Sequence, residues 1–186
     1  SATFPCASGS CPTSMHEIFM GPSFSSDGTR LCALHELAFG IADGIATIDI
    51  AADNYWQWTN DYRFWLKRLL IGSAPEWSPT RDEIVFFLHD QPDPADPVYE
   101  SVQVVDDIFR VNADGSGFTR LTDDDHFNAQ PAWSPDGEWI AFVSNRAGQD
   151  ANGDVSMDLW VMDRAGNNLV KLLECPSDCW HPSFSP

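Results

Sequence analysis

An oxygen-rich loop in the last quarter of the chain has the residue types of a calcium site. Oxygen-bearing side chains occupy every second position from 150 to 158, namely Asp150, Asn152, Asp154, Ser156 and Asp158. This alternation can direct several oxygens at one hard cation, and it predicts bound calcium. The glycine at the sixth position and the glutamate at the twelfth position of an EF-hand loop are missing. The alternative is a solvated loop whose Asp and Asn side chains cap turns.

Five cysteines suggest an oxidising compartment. Cys6 and Cys11 form one close pair and Cys175 and Cys179 another, in loops rich in Pro and Ser, which predicts two short-range disulfides. Cys32 lies in a strand-like run and is expected to be a buried free thiol. Zinc held by Cys175, Cys179 and His181 is the alternative, but the spacing is not a standard zinc pattern and a fourth ligand is not evident.

A cluster of aromatic and basic residues has the composition of a binding surface. Its members have no counterparts elsewhere in the chain: Tyr55, Trp56, Trp58, Arg63, Phe64 and Trp65. Aromatic side chains concentrated on a surface loop mark contacts to proteins or glycans. With Lys67 and Arg68 close by, the segment is also a candidate docking patch for an acidic surface. The alternative is a local hydrophobic plug.

Motifs for catalysis and for bound cofactors are missing. The sequence has no G-x-S-x-G elbow and no H-E-x-x-H helix, and its histidines follow no catalytic spacing. The C-x-x-C-H attachment motif is absent too, so haem is not expected. A bound nucleotide is not expected either. We therefore predict a protein with no catalytic residues of its own.

The charge balance restricts the partners. The 186 residues include 28 acidic and 10 basic side chains, for a net charge of -18, which argues against nucleic acid as a partner. Life in high salt is another explanation of this acidity. Hydrophobic residues make up 43% of the chain, enough for a folded core. No run of about 18 apolar residues occurs, so no transmembrane segment is expected.

A repeat organises these residues. Four segments share the order Pro, any residue, aromatic, Ser; they begin at Pro22, Pro75, Pro131 and Pro182, with spacings of 53, 56 and 51 positions. Three copies continue into β-rich runs at 29–34, 83–88 and 138–144, and then into 44–50, 107–112 and 158–163. Short fourth strands are expected at 118–121 and 168–172, after tight turns.

Four antiparallel strands at a period of roughly 40–50 residues are typical of a propeller blade. The sequence thus predicts an all-β protein, a β-propeller with blades at 22–74, 75–130 and 131–181. Tyr62–Leu70 is expected to be either a short helical segment or an inserted loop.

These residues resemble the TolB-type, WD-like β-propeller repeat family. The best segment, Ile108–Phe142, contains the Ala113-Asp114-Gly115-Ser116 turn and the P-x-W-S-P-D-G turn that begins at Pro131. The resemblance covers residues 22–186 well, and it implies a propeller and usually an extracytoplasmic setting. It does not fix a function, because this fold is a scaffold in many contexts.

The ends of the chain suggest part-blades. Residues 1–21 are interpreted as the second and third strands of one blade, with Glu17–Met20 as the third strand, and residues 182–186 as the first strand of a further blade. Three arrangements follow: a closed ring of about four blades, a partial propeller that is a segment of a larger one, or a half-ring completed by another chain. The segment is favoured, because an open blade edge invites association.

We therefore predict a non-catalytic propeller module, periplasmic or extracellular, that acts as a protein-binding or structural subunit of a larger assembly. The predicted partners are protein subunits, which include copies of the chain itself or a membrane-associated complex. One alternative is the propeller domain of a hydrolase or peptidase whose catalytic domain lies outside this chain. Another is a glycan-binding propeller.

Overall fold

The structure, a computed structural model, describes residues 17–37, 41–50, 57–58, 69–71, 75–90, 106–149, 155–175 and 178–185. These residues form three antiparallel sheets and contain no helix, which confirms the all-β prediction. None of them forms a helix long and apolar enough to cross a membrane.

Each sheet is one blade. Blade 1 contains β1 (Glu17–Phe24), β2 (Arg30–Leu37), β3 (Ile41–Asp49) and β4 (Gln57–Trp58). Blade 2 contains β5 (Leu69–Ile71), β6 (Glu76–Trp77), β7 (Glu83–Asp90), β8 (Asp106–Asn112) and β9 (Thr119–Arg120). Blade 3 contains β10 (Asn128–Trp133), β11 (Trp139–Ser144), β12 (Asp158–Asp163) and β13 (Val170–Leu173). The strands of blades 1 and 3 pair in sequence order, as a β-meander requires.

The first strand of every blade is interrupted at its proline. The register shifts between Met20 and Ser23 in β1 and between Ala129 and Ala132 in β10. In blade 2, β5 and β6 pair with opposite ends of β7, and together they take the place of one first strand. Proline has no N–H for the ladder, so a bulge at this point removes the need for one.

The residue before that proline has the same unusual backbone in each described copy. The φ angles of Gly21, Gln130 and His181 are 58°, 53° and 55°, all in the left-handed region. Gln130 and His181 are therefore held in a conformation that side chains disfavour. Gly21 and Gln130 lie in the bulge of a first strand, and His181 occupies the equivalent position of the repeat.

The Ser-x-Asp-Gly turn between the first two strands is held by its own side chains. In blade 3 the Ser134 hydroxyl donates to Asp136 Oδ1 at 2.5 Å and accepts from the Trp139 N–H at 2.9 Å. Asp136 Oδ1 also accepts from the Glu138 N–H at 3.0 Å. Blade 1 repeats these bonds through Ser25 and Asp27. The hydrogen bonds from Ser25 and Thr29 lower the pKa of Asp27 to about 2.

The core lies between blades rather than within one. One cluster combines Cys32 and Ile45 of blade 1 with residues of blade 2, and the other combines residues of blades 2 and 3. Strand β7 faces both clusters, because successive side chains of a strand point to opposite sides. Ile84, Phe86 and Leu88 pack toward blade 1, whereas Val85 and Phe87 pack toward blade 3. This arrangement explains why β7 is apolar without alternation.

In blades 2 and 3, one aromatic residue packs against the preceding blade. Trp77 and Trp133 are only 3% and 4% exposed, while Phe24, at the equivalent position of blade 1, is 61% exposed. The Trp77 N–H donates to Ser23 Oγ at 3.0 Å, and the Trp133 N–H donates to Glu76 Oε2 at 2.9 Å. Truncation of a buried Trp costs about 3–5 kcal/mol, so these contacts are a large part of the stability.

The structure differs from the predicted strands in three segments. Glu17–Met20, predicted as a third strand of a preceding blade, is instead part of the first strand of blade 1 and pairs with residues 34–37. Leu69–Ile71 is a strand paired with β7 rather than part of a helix or inserted loop. Residues 178–185 have no regular structure, so 182–185 forms no strand. The other predicted blade boundaries stay predictions.

We expect the alanine substitution G137A to be more destabilising than G28A. The two glycines occupy the same turn position with φ of 68° and 69°, so the left-handed backbone costs each variant about 1–2 kcal/mol. A Cβ at residue 137 would overlap Thr80 Oγ1 of blade 2, whereas one at residue 28 meets nothing within 4 Å. The clash adds about 1–3 kcal/mol to the loss for G137A. Urea unfolding of both variants measures the difference, and equal losses would contradict this packing.

Candidate functional site

The outermost strand of blade 3 is an exposed apolar edge. In β13, Val170, Leu172 and Leu173 are 51%, 53% and 53% exposed. The outermost strand of blade 2, β9, contains only two residues. Thr119 and Arg120 of β9 align with Val170 and Lys171 of β13, since both pairs face equivalent residues of the third strand. The rim of blade 3 is therefore longer and more apolar than that of blade 2.

The turn before β13 orients this edge. Asp163 Oδ1 accepts from the N–H groups of Ala165 and Asn167, each at 2.8 Å, and the Asp163 N–H donates to the Asn167 carbonyl. These hydrogen bonds lower the pKa of Asp163, with the bond from Asn167 as the main cause. The tight turn leads directly into Val170, opposite Val161.

A buried carboxylate fixes the other end of the hairpin. Asp158 Oδ1 accepts from the Cys175 N–H at 3.0 Å, and Asp158 Oδ2 is 3.3 Å from Lys171 Nζ. Asp107, the equivalent residue of blade 2, accepts from Thr122 Oγ1 at 2.6 Å and pairs with Arg120. A buried acid paired with a base on the fourth strand is thus a feature of the repeat. Asp158 consequently anchors β13 to blade 3.

A disulfide holds the segment that follows. Cys175 and Cys179 are bonded, with their Cα atoms 5.9 Å apart. The Cys179 N–H donates to the Met157 carbonyl at 2.8 Å, and the His181 N–H donates to Gln130 Oε1 at 2.5 Å. These contacts direct the chain from the rim toward the first strand of the blade. Trp180, next to Cys179, is half-exposed.

The described basic side chains are all used within the fold. Arg63, Lys67 and Arg68 lie outside the described residues, and the other seven cations form ion pairs. The pairs are Arg30 with Asp82, Arg81 with Glu138, Arg110 and Arg164 with Glu83, Arg120 with Asp107 and Asp123, Arg146 with Asp124, and Lys171 with Asp158 and Glu174. The described surface therefore offers a partner no unpaired lysine or arginine.

Three of these pairs join neighbouring blades. Arg30 of blade 1 reaches Asp82 of blade 2 at 2.6 Å, and its guanidinium lies 4.9 Å from the centre of the Trp77 ring. Arg81 of blade 2 pairs with Glu138 of blade 3, and Glu83 pairs with Arg164. A cleft of about 340 Å³ beside them is lined by Arg30, Arg81, Asp82, Glu83, Asn112, Ala113 and Asp114. Both of its arginines form ion pairs between blades, so this cleft is part of the contact between blades rather than a vacant anion site.

Arg146 organises the loop that enters blade 3. Its guanidinium is 3.1 Å from Asp124 Oδ2, donates to Asn128 Oδ1 at 2.5 Å, and lies over the Phe142 and Trp160 rings. Burial lowers the pKa of Arg146, which the nearby Asp124 opposes. Asp124 Oδ1 also lies 3.2 Å from His126 Nδ1. The Asp–His contact is thus part of a structural network.

Glu76 is a partly buried acid between blades 2 and 3. Burial raises its pKa from an ordinary value near 4.5 to about 7, although the hydrogen bond from the Trp133 N–H favours the charged form. The Glu76 carbonyl also accepts from Trp133 Nε1 at 3.2 Å. The joint therefore contains a group that titrates near neutral pH.

Two curated proteins match parts of the chain. An uncharacterized protein of Agrobacterium fabrum is 34% identical over 80 residues, which is 43% of this chain and 25% of that protein. Dipeptidyl-peptidase 5 of Porphyromonas gingivalis is 48% identical over 42 residues, which is 23% of this chain and 6% of the enzyme. The chain thus spans a quarter or less of the length of these relatives. No family model matches it.

Solved structures match most of the chain. TolB of Acinetobacter baumannii has a TM-score of 0.61 at 15% identity, over 91% of this chain and 35% of that one. A structure described as TolB of Agrobacterium tumefaciens has a TM-score of 0.52 at 23% identity, over 84% of this chain and 49% of the other.

The chain has a TolB-type β-propeller fold. An oligogalacturonate lyase of Vibrio parahaemolyticus matches with a TM-score of 0.59 at 12% identity, over 83% of this chain and 40% of the lyase. The TolB-type fold therefore occurs in proteins of different activity, and the likeness shows the fold alone. It confirms the predicted β-propeller of antiparallel blades, and a partial propeller is consistent with it.

Some predicted site residues of this TolB-type propeller lie outside the described residues. They are Asp150, Asn152 and Asp154 of the calcium loop, Cys6 and Cys11, and Tyr55, Trp56, Arg63, Phe64 and Trp65 of the aromatic cluster. Trp58 is in β4, where it pairs with Ala46. The calcium and glycan sites stay predictions. No three His, Cys, Asp or Glu side chains among the described residues are arranged to hold a metal.

Other predicted residues fall within the described part. The Cys175–Cys179 disulfide is confirmed, and Cys32 is a buried free thiol whose pKa burial raises to about 12. Ser156 and Asp158 of the calcium loop are 3.4 Å apart, with the Ser156 hydroxyl donating to Asp158 Oδ1. Asp158 is also the anchor of β13, so a calcium ion would compete with Lys171 for it.

The apolar rim of the TolB-type propeller is the feature that the sequence pattern did not single out. A comparison of the fourth strands could have revealed it, because blade 3 has Val-Lys-Leu-Leu where blade 2 has Thr-Arg-Leu-Thr. Leu172 and Leu173 occupy the positions of Leu121 and Thr122 in blade 2. Leu172 is exposed, whereas Leu121 is buried.

We expect the stability of the TolB-type propeller to fall between pH 5 and pH 8 because of Glu76. The folded pKa near 7 exceeds the ordinary value near 4.5, so the stabilising neutral form is fully present at low pH and is lost as the pH rises through 7. The loss is about 3 kcal/mol at most. E76Q, which stays neutral, should gain melting temperature over the wild type from pH 5 to pH 8. E174Q controls for net charge, and a constant gain for E76Q would contradict the assignment.

We expect the double variant C175S/C179S to fold with a free energy of unfolding about 2 kcal/mol lower than that of the wild type. The disulfide closes a short loop, which limits its effect on the unfolded chain. Urea denaturation measures the change. An unaltered midpoint would show that the bond contributes nothing to the packing of residues 178–185.

Proposed function

We propose that this TolB-type propeller is a non-catalytic module that binds a protein partner, as a subunit of a larger assembly. The apolar rim strand β13 is the observation that supports it. Three apolar side chains that are each more than half-exposed on one strand are unusual on a surface that no partner covers. The half-exposed Trp180 nearby in the chain adds an aromatic group of the kind enriched at interfaces.

The proposed setting is extracytoplasmic, either the periplasm or the cell exterior. The Cys175–Cys179 disulfide supports it, because such bonds persist in oxidising compartments. The likeness to TolB structures is compatible with the same setting. The partner is a protein rather than nucleic acid, since the described cations are engaged in ion pairs and the net charge is -18.

We expect a photo-crosslinker at residue 170 to capture a discrete partner in the native host. The matched control is a crosslinker at Thr119, the equivalent rim position of blade 2. An adduct at 170 that is absent at 119 and is abolished by Leu173→Asp supports the proposal. No adduct at 170, or the same adducts at both positions, would overturn it.

A second candidate is the propeller domain of a peptidase. It is favoured by the 48% identity to dipeptidyl-peptidase 5 over 42 residues. The catalytic domain would then lie outside these 186 residues. Hydrolysis of dipeptidyl p-nitroanilides by the full-length gene product would favour this candidate over a binding subunit.

A further inference from the structure

Strand β13 is open on its outer side. It pairs with β12 through Val170, Lys171 and Leu173, with a register shift that leaves Leu172 as an extra residue, and no other strand among the described residues pairs with it. At the edge of an antiparallel sheet, every second residue points its N–H and C=O away from the sheet. β13 has four residues, twice the length of β9. The geometry is suited to the addition of one more strand.

One common protection against such pairing is missing from this edge. Proteins commonly protect an edge strand with a lysine that projects into solvent. Lys171 is the only charged residue of β13, and its ammonium is held 3.3 Å from the buried Asp158 and 3.3 Å from Glu174. The remaining side chains, Val170, Leu172 and Leu173, are apolar and exposed. An added strand would thus meet apolar neighbours and no free cation.

Charge decides which strand the edge favours. Two copies of a chain with a net charge of -18 repel each other, which opposes pairing of β13 with itself. The carboxylate of Glu174, directly after β13, is largely exposed. A cationic segment is attracted both by this group and by the chain as a whole.

We propose that β13 binds an extended peptide segment of alternating apolar and basic residues, which adds to blade 3 as a further strand. The proposal rests on the protein-binding function proposed above and specifies its chemistry. Backbone hydrogen bonds supply the affinity of such strand addition, and side-chain contacts supply its specificity. Apolar side chains of the segment would cover Val170 and Leu173, and its basic side chains would face the acidic surface.

The test uses a fluorescent Lys-Val-Lys-Val-Lys-Val-Lys peptide and the 186-residue chain, with binding followed by anisotropy. We expect saturable binding that weakens about tenfold when alternate peptide nitrogens are methylated, because methylation removes the hydrogen-bond donors. The same weakening is expected for Val170→Asp, whereas the matched rim variant Thr119→Asp should bind like the wild type. Amides within 170–173 should exchange more slowly in the complex.

Three results would overturn strand addition. The first is equal binding of the methylated peptide, which would indicate attraction by charge alone. The second is equal weakening by Thr119→Asp. The third is a dimer in sedimentation that Val170→Asp dissociates, which would make a second copy the occupant. When one of these results is found and the crosslinker at 170 still captures a partner, strand addition is wrong and the proposed function stands. When the crosslinker captures no partner either, both proposals are wrong.

Discussion

The burial of one aromatic residue at each of the two described contacts between blades is the interaction on which the remaining structure depends. Trp77 and Trp133 insert into the preceding blade's surface, and their N–H groups bond to Ser23 and Glu76. Hydrophobic burial and sheet register are therefore set at the same residue. Because blade 2 is covered on both sides, β7 is apolar on both faces. Its stability consequently depends on neighbours rather than on a core of its own.

The scarcity of basic residues gives each described cation a structural task. Arg30, Arg81 and Arg164 join successive blades, and Arg146 holds the loop into blade 3. Lys171 is tied to the buried Asp158. Once these groups are committed, the surface is left acidic. Because Lys171 is one of these paired cations, the edge at β13 has no free lysine. The scarcity of basic residues therefore accounts both for the acidic surface and for the unprotected edge.

Sequence reasoning predicted the blades because the Pro-x-aromatic-Ser turn recurs wherever a first strand meets a second. It misplaced Glu17–Met20 because a short acidic-apolar-aromatic pattern fits a first or a third strand equally well, and only pairing with β2 distinguishes them. The bulge before each proline explains why Leu69–Ile71 was hard to recognise as half of a first strand. Exposure of Val170 and Leu173 depends on what covers the rim, which no local pattern contains.

Blade 3 departs from the other two at two of the positions that make polar contacts to the next blade. Ala132 stands where Ser23 and Glu76 accept an N–H, and Trp139 stands where Arg30 and Glu83 form ion pairs. Ala132 would offer no side-chain acceptor to the backbone N–H of the aromatic residue of a sheet packed on this side. Its register would have to come from burial against groups such as the exposed Trp139. Polar contacts fix one register, whereas apolar contacts adapt to several, so we expect this side of blade 3 to select a neighbouring sheet less strictly than the corresponding sides of blades 1 and 2.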